Sequence, residues 1–156
     1  MQPEDLMNLA IAEAKIAEEN DDVPIGCVIW HEPTQRIIGR GHNRREQDND
    51  PAGHAEIVAL REAAKTLGHW RVTEATLVVT LEPCPMCAGA IVNARVPNLI
   101  YGCDDPKAGA VRTLYTLCED ARLNHRVNVT PGVLANDCAD LLRVFFRKQR
   151  AAGKNG

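Results

Sequence analysis

Residues 75 to 81, ATLVVTL, place an apolar or β-branched side chain at every position. Such a run reads as a strand buried on both faces. A strand of that kind constrains the chain more than any other feature, because it needs helices packed on both sides of its sheet. The flanking segments supply them. Residues 85 to 95 read as a helix, and NLIYG (98 to 102) as a second short strand. Strands joined through a helix run parallel. Upstream, residues 3 to 20 read as a helix with Pro3 near its start and Leu6, Leu9, Ala10, Ile16 and Ala17 along one face. Glu13 interrupts that stripe, so the assignment leans on good helix formers. PIGCVIW (24 to 30) and QRIIGRGHN (35 to 43) read as strands of a hairpin, with HEPT turning between them. Residues 52 to 67 form a further helix ended by Gly68, DDPKAGA (104 to 110) a loop, and RVNVT (126 to 130) a short strand. A last helix over 136 to 150 has Cys138, Leu141, Leu142, Phe145 and Phe146 on its apolar face. The expected fold is an α/β domain with a central mixed sheet of about five strands and helices on both faces. At 156 residues one domain over 1–150 is expected, with a flexible tail at 151–156.

Charge and composition narrow the class. The formal net charge is -3 and the isoelectric point about 5.9, which argues against a coat-like nucleic-acid binder and leaves room for a local basic patch. The opening MQPEDLMNLA has no cationic start before an apolar run, and no stretch approaches the roughly 20 apolar residues of a membrane span. A soluble, cytoplasmic protein with no membrane partner is expected. Its six cysteines then pack, react or bind metal rather than pair.

Two helix starts carry the chemistry. Cys84 and Cys87 stand three residues apart in LEPCPMCAGA, about 300° around a helix, so both sulfurs share a face. Pro83 and Pro85 flank the first, at a helix start where a missing N–H costs nothing. The positive end of the helix dipole favours thiolates there. His54, at the start of the helix beginning DPAGHAEIVAL, can be a third ligand. A catalytic zinc has three such ligands and keeps the fourth position for water, whose pKa it lowers to roughly 7. Glu56 lies roughly 200° around the helix from His54. It is poorly placed as a ligand and well placed as a general base that returns the proton to a leaving group.

Each half of this pattern alone is ordinary. HAE is common on helices, and C-x-x-C is also a redox signal. The second Cys pair of a structural four-Cys site is missing, and a redox pair would leave His54 and Glu56 unexplained. H-x-E followed by P-C-x-x-C is the signature of zinc-dependent nucleobase deaminases. Cys27, Cys103, Cys118 and Cys138 read as small core residues, and His31, His42 and His69 as turn or surface residues.

The sequence resembles the bacterial tRNA adenosine deaminases, within the cytidine deaminase-like superfamily. NDPAGHAEIVALREAA, ATLVVTLEPCPMCAGAIVNARV, DDPKAGAV and LNHRV are similar to family segments in the family's order, and the likeness runs from VPIGCVI to FFRKQR. It implies a three-layer α/β/α fold, one zinc per chain, a homodimer, and conversion of adenosine to inosine at the wobble position of a tRNA anticodon. By position it implies His54, Cys84 and Cys87 as zinc ligands and Glu56 as the proton shuttle. It also implies Asn43 as a hydrogen-bonding partner of the target base, and Asp105, Phe146 and Arg147 as contacts to the anticodon stem-loop. Two departures are visible. Ala52-Gly53 stands where the family often has Thr-Ala, and Arg112-Thr113 where it often has Gly-Ser.

From Arg143 onward the chain carries Arg143, Arg147, Lys148, Arg150 and Lys154 and no acidic residue. Such a cluster suits phosphates, and Phe145 or Phe146 suits stacking on an unpaired base. The alternative is a core pair of phenylalanines beside a solvated helix end. Two further functions remain open on the sequence. A deaminase of free guanine, cytosine or a nucleoside would use the same zinc and Glu56 without needing the basic helix. A non-catalytic, zinc-stabilised interaction module would need a fourth protein ligand, such as Cys27 or His42.

Overall fold

The computed structural model describes residues 1–153. Its strands are β1 (Gly26–His31), β2 (Arg36–His42), β3 (Ala75–Leu81), β4 (Asn98–Cys103) and β5 (Asn128–Thr130). They form one mixed sheet in the order β2-β1-β3-β4-β5. β1 is antiparallel to both its neighbours, whereas β3, β4 and β5 run parallel. It follows that β2, β3 and β4 all point the same way. Their C-terminal ends line one end of the sheet, where open α/β sheets bind ligands.

The helices are α1 (Pro3–Glu19), α2 (Arg45–Asp48), α3 (Ala55–Leu67), α4 (Pro85–Asn93) and α5 (Ala135–Ala151). Strand alternation divides the core in two. Cys27 and Ile29 of β1, Leu77 and Val79 of β3, and Leu99 and Tyr101 of β4 pack with α3 and α4. Val28, Trp30, Val78 and Ile100 point to the other face, onto α1 and Cys138 of α5. The result is the three-layer α/β/α arrangement. Leu77, Val78 and Val79 are all fully buried, so β3 has two dry faces, as its composition requires. Each such side chain contributes about 1.5–3 kcal/mol when removed from water.

The depth at which α3 sits on the sheet is set by β2. A Cβ at Gly41 would lie 2.2 Å from the carbonyl oxygen of Ala55, and one at Gly39 2.3 Å from that of Ala59. Only hydrogen at these two positions lets the helix backbone come so close.

The structure differs from the expected elements in a few places. α3 begins at Ala55, not at 52, because the preceding turn already uses the backbone there: Gly53 N–H donates to Asp50 O, and Ala52 N–H to the Asp50 carboxylate. α4 stops at Asn93, and Arg95 takes a left-handed φ of 62°. α2 is an unforeseen single turn, and Cys118 sits buried in a 3-10 turn (Leu117–Glu119). Glu13, the break in the α1 stripe, faces His42 at 3.4 Å. α5 reaches Ala151, one residue into the stretch expected as a tail; residues 154–156 of that stretch, with Lys154, lie outside the described residues. No helix among the described residues is long and apolar enough to cross a membrane.

Candidate metal centre and active site

Both helix starts come to the same end of the sheet. His54 is the N-cap residue of α3 and Cys84 that of α4, each with extended backbone (φ -79°, ψ 152° and φ -74°, ψ 174°) that turns its side chain off the helix. Pro85 opens α4. Cys87 follows one turn on and is fully buried. His54 Nδ1 lies 3.6 Å from the sulfur of Cys84 and 3.6 Å from that of Cys87. All three donor atoms fall within 4.8 Å of one another. A nitrogen about 2.1 Å and a thiolate about 2.3 Å from one tetrahedral zinc stand about 3.6 Å apart. The cluster therefore fits such an ion in both donor chemistry and spacing.

The electrostatics agree. A hydrogen bond from Cys87, helped by His54, outweighs burial and holds the Cys84 thiol down to about 4. Cys87, the donor in that bond, is pushed up by it, by burial and by Glu56. The bond to Cys84 raises His54 against the pull of burial. A thiolate poised beside a second thiol and an imidazole is what a zinc-type cation selects.

Glu56, on the first turn of α3, is 4% exposed. Burial pushes its carboxyl up to about 7; its own backbone N–H, the charge on His54 and the Cys87 thiol pull the other way. It opens on the same pocket as His54 and Cys84, a cleft of about 210 Å³ also lined by Asn43, Asp105 and Phe146. Asn43, 3% exposed, follows β2 and accepts the Arg45 N–H through Oδ1 at 3.2 Å. Asp105 starts the loop after β4, where its carboxylate accepts the N–H groups of Lys107 (3.0 Å) and Ala108 (3.2 Å).

The structure thus gathers His54, Glu56, Cys84, Cys87, Asn43, Asp105 and Phe146 around one cleft. Arg147 is exposed and stands outside its lining. The two phenylalanines divide: Phe145 is buried, whereas Phe146 is half-buried at the cleft and packs edge-on against it at 5.4 Å. Arg143 pairs with Asp140, and Arg112 pairs with Glu119 at 3.1 Å, so neither guanidinium stands free. Cys27 lies in the core and His42 against Glu13 and Arg44, and neither joins the metal cluster among the described residues. The fourth protein ligand that an interaction module needs is not supplied by either. Sequence reasoning passed over Arg45, brought to the cleft by α2, and Glu82. The signal for Glu82 was present: a carboxylate directly after a doubly buried strand must have partners.

The MafB19-like deaminase family profile matches residues 1–150. Fold and site together are those of a deaminase. A tRNA-specific adenosine deaminase of Bacillus subtilis (strain 168) is 48% identical over 158 residues, covering 99% of this chain and 97% of that one. One from Streptococcus pyogenes serotype M18 (strain MGAS8232) is 48% identical over 96% of this chain and 92% of its own. A solved structure from a study of A-to-I editing by tRNA:A34 deaminases superposes with a TM-score of 0.84 at 42% identity, covering 88% of this chain and 99% of that chain. The chain belongs to the family of tRNA-specific adenosine deaminases.

Proposed function

We propose that this protein hydrolytically deaminates adenosine to inosine at the wobble position of a tRNA anticodon. The observation that carries the reading is the placement of buried Glu56 beside the His54, Cys84 and Cys87 cluster in one cleft, in a chain 48% identical to tRNA-specific adenosine deaminases. His54, Cys84 and Cys87 would hold one zinc per chain. Bound there, zinc would supply a Lewis acid that makes water nucleophilic near neutrality. Glu56, with its carboxyl near 7, is tuned to take a proton from the attacking water and hand it to the departing amino group. Adenosine and water then leave as inosine and ammonia.

Asn43 would hydrogen-bond the flipped-out base, since an amide can donate and accept at once. Phe146, at the cleft, would stack on an unpaired base of the anticodon loop. Asp105 would meet the RNA from the loop after β4, and Arg147, at the exposed side of α5, would meet a phosphate of the same stem-loop. The protein would act in the cytoplasm as a homodimer, as one domain over residues 1–150. The test is to incubate pure protein with an anticodon stem-loop bearing adenosine at the wobble position, and separately with free adenine, guanine and cytosine. Inosine in the stem-loop, found by mass spectrometry of its nucleosides, supports the reading. Turnover of a free base with the stem-loop untouched replaces it with a free-base deaminase.

A further inference from the structure

We infer that Glu82 is a positioning residue, whose buried carboxylate templates the loop of residues 104 to 113 and thereby sets how substrate is held in the cleft. Glu82 is 2% exposed and follows β3 directly, yet every partner of its carboxylate lies more than twenty residues away in that one loop. Oε1 accepts the Asp105 N–H at 3.1 Å and the Thr113 hydroxyl. Oε2 accepts the N–H groups of Val111 (3.1 Å), Arg112 (2.8 Å) and Thr113 (3.0 Å). The loop passes so close that a Cβ at Gly109 would lie 2.3 Å from Oε1. The neighbouring Pro83 carbonyl holds the middle of the loop through the Ala110 N–H at 2.8 Å.

The loop has no regular secondary structure to satisfy its N–H groups, so the carboxylate does what a helix or sheet would do. Its two oxygens have separate tasks. Oε2 gathers the far end of the loop. Oε1 ties down Asp105, which with Ala108 forms one wall of the cleft. Thr113 places its hydroxyl where Oε1 accepts it. Glu82 reaches neither metal donor nor proton shuttle by any hydrogen bond among the described residues. Its influence on turnover therefore passes through the wall, and belongs to substrate binding more than to chemistry.

The inference rests on the proposed function only for its choice of substrate. Two variants test it. In Glu82→Gln the remaining oxygen is best used by the three N–H donors, which turns the amide group onto the Asp105 N–H. Thr113→Val removes the one side-chain donor and keeps the shape, and Thr113→Ser restores it. In hydrogen exchange of the zinc-loaded protein, peptides covering 104 to 113 should exchange about tenfold faster in Glu82→Gln. Peptides covering α4 should not change, and bound zinc should stay at the wild-type level. With the stem-loop, KM should rise about tenfold while kcat moves by less than about threefold. Thr113→Val should move KM in the same direction, and Thr113→Ser should return it to wild type. A kcat loss at unchanged KM overturns the inference, as does unaltered exchange in the loop. A wild type that ignores the stem-loop but deaminates a free base overturns the proposed function instead; the exchange experiment and the KM for that base then decide the role of Glu82. Should Glu82→Gln fail to fold, the Thr113 pair carries both measurements.

Discussion

Glu56 and Glu82 border the same cleft and are almost equally buried, 4% and 2% exposed. Their carboxyl groups nevertheless move in opposite directions. Burial dominates at Glu56 and pushes it up to about 7. Burial also acts on Glu82, but the Thr113 hydroxyl and the N–H groups of Arg112, Asp105 and Thr113 overcome it and hold the group below the usual glutamate range. Low solvent exposure alone thus does not set the charge of a carboxylate. Burial weighs more heavily on Glu56, and the donors aimed at Glu82 outweigh it there. One site is left short of donors and can trade a proton; the other is saturated and cannot. A proton shuttle and a structural brace differ here both in how heavily burial weighs on them and in the donors they accept.

The sharpest way to break this contrast is to remove the shuttle. Glu56→Ala should lower kcat by about 10²- to 10⁴-fold while elemental analysis finds the same zinc per chain as in wild type. Loss of the metal from a folded variant would make Glu56 a ligand, and the contrast would disappear. A third buried polar group sharpens it. Asn43 has no charge to trade and holds a single backbone N–H, that of Arg45, so Asn43→Ala should act chiefly on base recognition. Leaving a base edge unpaired costs about 1–3 kcal/mol, or about 5- to 150-fold in kcat/KM for the stem-loop.

Acid unfolding probes the brace. A carboxyl held below its unfolded value stabilises the fold above that value, and the stabilisation is lost as pH falls through the folded pKa. Urea midpoints from about pH 5 down to about pH 3 should therefore fall more steeply for wild type than for Glu82→Gln, since the unfolded group titrates near about 4.3. Parallel curves would mean that Glu82 is not held as an anion. The smallest effect concerns charges remote from both glutamates. Replacing Arg147 and Lys148 with Ala should weaken stem-loop binding and flatten its log–log salt dependence by roughly 0.7–0.9 per lost phosphate contact. Identical slopes in salt titrations of the two proteins would remove this end of α5 from the RNA surface.

Much of this was legible in the sequence because the signals are local. The β-branched run of β3 predicted its own burial. The three-residue spacing of Cys84 and Cys87 after a proline predicted two sulfurs on one helix start, and His54 marked the other. What could not be read depends on partners far along the chain. α2 is a single turn whose N–H groups at Glu46 and Gln47 are held by the carboxylate of Asp22, more than twenty residues earlier. Glu82 is explained only by a loop that comes back to it. Phe145 and Phe146 have the same chemistry and adjacent positions, and composition does not separate them. About 100° of helical rotation does, sending one into the core and leaving the other at the cleft.

The approach of α3 to β2 bears on how such a chain is free to vary over generations. At Gly39 and Gly41 the atoms that exclude a methyl group are backbone carbonyls of the helix that presents His54 and Glu56. A clash with a side chain can be relieved by a second substitution nearby. A clash with a carbonyl is the same whatever residue carries it, so no compensating change exists short of lifting the helix, and with it His54, away from the cysteines. These two glycines are therefore closed to drift by the same contact that keeps the site assembled. The exposed face of α5 meets no such wall, and substitutions there leave the site's assembly untouched.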